Sequence, residues 1–156
     1  MLSIKEIKNN TEYKESTILI ASLSRLFSES DVPFLQYRVA ERLFCSCMDA
    51  EDLSRSDGSF DAKIGKIGVG IKTFQCSGNK KTEKVAEFNS KADELRQLAG
   101  RDLAIRLSQL RNLRIQADKD FHGLESSFYH LVTRREGKLR IFHAPYESIS
   151  ISRLNG

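Results

Sequence analysis

Between Phe60 and Phe74 the chain leaves itself few conformational options. Phe60-Asp61-Ala62-Lys63-Ile64 alternates apolar and polar residues, and Ile67-Gly68-Val69-Gly70-Ile71-Lys72-Thr73-Phe74 alternates again. A period of two belongs to a strand. Gly65-Lys66 between the two runs suits a tight turn, so the segment predicts a hairpin. In the second strand Ile67, Val69 and Ile71 share one face, while Gly68, Gly70 and Lys72 share the other. Glycine weakens a strand, and two of them beside a lysine ask for a reason. One reason is that another group, such as a phosphate or a metal ion, needs the space.

The flanking segments read mostly as helices. Residues 1 to 15 are polar and predict a loose lead-in. Residues 16 to 29 predict a helix with Ser16 as a cap and Ile18, Leu23 and Leu26 among its apolar positions. Asp31-Val32-Pro33 resets the chain. A second helix is expected from Pro33 to Leu53, with Leu35, Val39, Leu43 and Cys47 as its stripe, widened by Ala40, Phe44 and Met48. A short extra strand is expected within Asp52 to Ser56, before the turn around Asp57-Gly58. A third helix is expected from Thr82 to Leu98, carrying Val85, Phe88, Ala92 and Leu95. Gly100 interrupts it, and a fourth helix runs to Asp118 with Leu103, Leu107 and Leu110 spaced for burial. Phe128 to Thr133 and Leu139 to Phe142 predict two strands around a turn at residues 135–138. The expected fold is α/β, a single domain with a small mixed sheet flanked by helices.

Composition narrows the class. The chain has 156 residues, 40% hydrophobic and 29% charged, enough for a core without staples. Its apolar stretches are far too short to span a bilayer, so no membrane partner is expected. The start mixes charge into every turn and predicts no signal peptide. A net charge of +4 permits a nucleic-acid partner without demanding one. Cys45, Cys47 and Cys76 are too few and too odd for a disulfide scaffold, which points to a reducing, cytoplasmic location. On a helix, Cys45 and Cys47 lie about 200° apart, a poor geometry for sharing one ion. His130 and His143 are expected to face each other across the terminal hairpin, without an evident third metal ligand.

The candidate chemistry lies in Asp61 and Lys72. Mg²⁺ takes carboxylate oxygens and waters, usually with one or two carboxylates from the protein. Such an ion polarises a phosphoryl oxygen and lowers the pKa of bound water. A nearby ammonium orients that water and steadies the developing negative charge. Each residue also has a plainer reading. Asp61 can be a turn-flanking aspartate, and Lys72 a snorkelling lysine on an edge strand.

The run SDGSFDAKIGKIGVGIKTF resembles the core of the PD-(D/E)XK nuclease superfamily, which includes type II restriction endonucleases. That superfamily places an Asp on one strand and a (D/E)-x-Lys on its neighbour, after a helix that often supplies a Glu. The resemblance implies a restriction-endonuclease-like core, with Asp61 as the metal-bridging carboxylate, Lys72 as the motif lysine and Glu41, in RVAERLF, as the helix glutamate. It implies Mg²⁺-dependent hydrolysis of double-stranded DNA, and a homodimer acting on palindromic sites. The sequence departs from the pattern at Gly70, where a carboxylate is expected. The second carboxylate must then come from Glu41, Glu87 or Glu83. On its helix Glu87 points away from the apolar stripe, whereas Glu41 lies at the edge of a broad one, so Glu41 ranks first. Glu41 can equally pair with a neighbouring arginine, and Glu87 with Lys84 and Lys91.

Lys80 and Lys81 follow the proposed active strand and are candidates for DNA-backbone contact. Arg101, Arg111 and Arg114 fall in one broad arc of the fourth helix and are further candidates. A solvated helix face explains the arginines equally well. Two other readings stay open: a junction or repair nuclease of the same fold, and a non-catalytic DNA-binding or protein-interaction domain with a decayed site.

Overall fold

The computed structural model describes residues 4–26, 28–55, 58–76 and 88–154. The alternating runs form the expected hairpin. Strand β2 (Ala62–Ile64) pairs antiparallel with β3 (Ile67–Gln75), in the register Ala62–Val69, Lys63–Gly68 and Ile64–Ile67. Gly65 takes the left-handed conformation that the turn requires, at φ +57°. The extra strand is β1 (Glu51–Asp52), which reaches only Asp52 of the predicted segment and adds antiparallel to β2. Beyond β3 lie β4 (Ser126–Arg135), parallel to it, and β5 (Lys138–Pro145), antiparallel to β4. Among the described residues this is one five-stranded mixed sheet of order β1-β2-β3-β4-β5.

Parallel pairing of β3 and β4 needs a crossover. Its main element is a long helix, α5, which begins after a short one, α4 (Ala92–Arg96). Helix α5 (Gly100–His122) outruns its predicted end at Asp118 and stops at Gly123, whose φ of +64° suits a helix C-cap. Residues 77–87, with the first six residues of the predicted third helix, lie outside the described residues; the rest of that segment forms a 3-10 turn, Asn89–Lys91, followed by α4. Among the described residues none of the helices is long and apolar enough to cross a membrane.

Two apolar clusters cover the two faces of the sheet. On one face, helix α3 (Tyr37–Met48) packs Ala40, Phe44 and Met48 against Ala62, Val69, Ile71, Phe128 and Val132. Of the predicted stripe, Leu35 and the widening positions Ala40, Phe44 and Met48 lie in the cluster, while Val39, Leu43 and Cys47 are partly buried and pack against it. On the other face Ile115 of α5 joins Leu53, Phe60, Leu124 and Tyr146. This face corrects the reading of the strand glycines. A Cβ at Gly68 would come within 2.8 Å of the Phe60 ring and 2.9 Å of Leu124. One at Gly70 would come within 2.8 Å of the Tyr146 ring and 3.0 Å of Tyr129. The space above Gly68 and Gly70 is thus filled by the chain's own side chains, and it is not these glycines that keep room for a phosphate or metal ion.

Residues 4–15 do not form the expected loose lead-in. Helices α1 (Ile4–Asn9) and α2 (Thr11–Leu23) start well before Ser16, and Asn10 caps α2 by accepting the Tyr13 N–H at 2.8 Å. The buried side of α2 is Tyr13, Thr17 and Ala21, while Ile18, Leu23 and Leu26 are exposed. The phase is decided by Tyr13, whose hydroxyl lies 2.7 Å from Nε2 of the buried His130. His130 and His143 do face each other across the hairpin, with His130 Nδ1 at 3.0 Å from His143 Nε2.

Burial, aided by His143, pushes the His130 pKa down to about 3. An unfolded imidazole protonates near pH 6.5. Below that pH the unfolded chain binds a proton that the folded chain refuses, so stability falls as the pH drops from 6.5 toward 3. At pH 5 the expected loss from this group is about 2 kcal/mol. Urea unfolding at pH 5 and pH 7.5 measures it. His130→Gln should be less stable at pH 7.5 but lose less between the two pH values. An equal loss in both proteins would refute the assignment.

Candidate active site

Three elements converge at the start of β2. The backbone of Asp61 is held on both sides: its N–H donates to Val69 O at 2.9 Å, and its carbonyl accepts from Leu53 N at 3.0 Å. The preceding loop is braced from three directions. Arg114 donates to Gly58 O at 3.2 Å, Asp118 accepts the Ser59 N–H, and the Tyr146 hydroxyl donates to Ser59 O at 2.9 Å. With its backbone so fixed, Asp61 turns Oδ2 toward β3. There it accepts the Ile71 N–H at 2.6 Å and the Lys72 ammonium at 2.8 Å. The ion pair is partly exposed, so solvent screens it only in part.

Glu41 enters from α3 and is only 5% exposed. Its carboxyl pKa is raised, first by burial and then by the charge of Asp61. Arg38, Lys72 and a hydrogen bond with Ser54 pull it back. The charges of Asp61 and Lys72 both reach Glu41, which puts it within electrostatic range of that pair. The expectation that Glu41 pairs with an arginine also holds: Arg38 Nη1 lies 3.4 Å from Glu41 Oε2, one helical turn back. The face is buried, however, and not solvated.

The donor set can be tested against Mg²⁺. Glu41 and Asp61 offer hard carboxylate oxygens, and the described residues contain no cluster of three or more His, Cys, Asp or Glu suited to a metal. Two carboxylates, with waters completing the shell, suit Mg²⁺ and fall short of a closed protein cage. In donor chemistry, Glu41 and Asp61 suit that ion.

Among the other candidates, Glu83, Glu87, Lys80 and Lys81 lie outside the described residues. Arg101 is exposed in the first turn of α5. Arg111 and Arg114 turn donors inward. Arg111 donates to Glu147 O at 2.8 Å and lies over the Tyr146 ring at 5.2 Å, and Arg114 braces the loop ahead of Asp61. Cys45 is buried in the core, with its thiol pKa pushed up to about 12 chiefly by burial, and Cys47 is half-buried. Sequence reasoning anticipated an arginine beside Glu41 without naming Arg38, whose spacing of three was the signal. It missed Asp118 and Tyr146, which act from distant parts of the chain.

Comparison of the chain with family models, with curated proteins and with solved structures gives no match.

Proposed function

We propose that the protein is a Mg²⁺-dependent DNA endonuclease of the PD-(D/E)XK type, a type II restriction endonuclease or its catalytic domain. The observation that carries the reading is the Asp61–Lys72 ion pair with the buried Glu41 in electrostatic range of both, on the kinds of element the resemblance assigns: a helix, a strand start and the neighbouring strand. Two carboxylates next to one ammonium suit phosphodiester hydrolysis. Mg²⁺, when bound, supplies the Lewis acidity that activates water and the phosphoryl group. Glu41 and Asp61 would hold it. Lys72, already oriented by Asp61, would position the attacking water and offset charge on the phosphate. The backbone bonds to Asp61 keep its carboxylate from swinging away, which preserves the alignment such a step needs. Cutting both strands of a palindrome calls for two such centres, so the reading includes a homodimer on DNA.

The test is incubation of plasmid and phage DNA with the purified chain in Mg²⁺ and in EDTA. Discrete fragments in Mg²⁺ alone are expected. A smear or relaxed circles in Mg²⁺ alone would favour a structure-directed nuclease. Binding of DNA equally in both conditions, with no cleavage, would overturn the enzyme reading and favour a decayed site.

A further inference from the structure

We propose that Arg38 is a phosphate-contacting residue of this site, parked against Glu41 until a cation and the substrate take its place. The inference rests on the nuclease reading above. Its side chain is 45% exposed while that of its partner Glu41 is only 6% exposed, so the guanidinium sits at the mouth of the site and the carboxylate inside. The contact with Glu41 is long, at 3.4 Å, against about 2.7–2.9 Å for a good charge-assisted hydrogen bond. The short bond, 2.8 Å, goes to the neutral carbonyl of Ser54, with Ser54 Oγ at 3.2 Å.

Ser54 is itself anchored, its hydroxyl donating to Asp52 at 2.6 Å and its N–H at 2.9 Å. Arg38 also lies over the exposed Tyr37 ring, at 5.4 Å from the centroid. The arginine is thus tied to a rim of neutral acceptors and leans on the carboxylate without clasping it. All three of its hydrogen bonds come from Nη1, which leaves the rest of the fork uncommitted among the described residues. A fork with donors to spare matches a phosphate.

This placement makes Arg38 act with opposite sign on the two ligands. Its positive charge opposes a cation on Glu41 and favours an anion at the mouth. In the full chain, Arg38→Gln should bind Mn²⁺, titrated without DNA and followed by its EPR signal, about three- to tenfold more tightly than wild type. At saturating Mg²⁺ the same variant should lose about tenfold or more in kcat/KM for DNA cleavage. Arg38→Lys keeps the charge and loses the fork. It should bind Mn²⁺ within about twofold of wild type and still cleave more slowly, and this holds as a test even if Arg38→Gln does not fold. Metal affinity and cleavage falling together, or neither changing, would overturn the proposal and leave Arg38 as a brace between α3 and Ser54. A wild type that neither binds Mn²⁺ nor cleaves would instead overturn the nuclease reading itself, and the role of Arg38 with it.

Discussion

Lys72→Ala and Asp61→Asn should each reduce Mg²⁺-dependent cleavage by about 10²–10⁴-fold, the range seen when a positioned proton-transfer or charge-stabilising group is removed. The two act as a unit, with Lys72 Nζ on Asp61 Oδ2 at 2.8 Å, so the double variant should be little worse than the worse single one. Asparagine keeps the shape of Asp61 and can still accept the Ile71 N–H, which separates loss of charge from loss of the local fold. Lysine is partly exposed here, and its removal leaves Asp61 bonded to the backbone, so both variants should stay folded. Initial rates on plasmid DNA, with thermal unfolding as the control, decide the matter. Cleavage that survives both substitutions would show that the chemistry lies elsewhere.

Gly70→Glu should fail as a repair of the motif. On paper it restores the carboxylate two residues before Lys72. In the fold, the new Cβ meets Tyr146 at 2.8 Å and Tyr129 at 3.0 Å. Those rings have little freedom: they stack at 3.9 Å with a 13° interplanar angle, and the Tyr146 hydroxyl is bonded to Ser59 O at 2.9 Å. Overpacking of this kind costs about 1–3 kcal/mol, and burying a carboxylate beside two rings adds to it. Moving Tyr146 would also release the loop that sets Asp61. Urea unfolding should therefore show a loss of about 2 kcal/mol or more, with no gain in cleavage. Gly70→Glu combined with Tyr146→Ala should lose less than the sum of the two single changes, because the larger residue then fills the space left by the ring. A Gly70→Glu protein as stable as wild type would mean that the tyrosine stack yields easily.

Much of the sheet was legible because strand signals are local. The β2–β3 hairpin follows from period-two alternation around Gly65, and β3 ends within one residue of its predicted limit. The terminal hairpin followed from the same pattern, though both strands run longer than expected because pairing continues through polar residues, Ser126 against β3 and Arg135 against β5. Helix phase was less legible. In α2 the apolar residues Ile18, Leu19 and Leu23 are the exposed ones, and Thr17 is buried. A hydrophobic count misses this, because Tyr13 reaches His130, 117 residues away, and so fixes which side of the helix faces the sheet.

The candidate site divides in the same way. Alternation, read on the residues themselves, was enough to put Lys72 on a strand, on the face opposite Val69 and Ile71, with Asp61 at the start of its neighbour. Residue spacing was enough to put Glu41 near the apolar side of a helix. These are properties of backbone periodicity, which any sequence of that pattern carries. Only the tertiary structure decided that Glu41 is buried within electrostatic range of Asp61, that Arg38 pairs with it from the exposed side, and that Asp118, Arg114 and Tyr146 brace the loop ahead of Asp61. It also decided what fills the space above Gly68 and Gly70. Each of these depends on side chains far apart in the chain meeting at one place. Periodicity tells a residue which way to face, but packing alone determines what it faces.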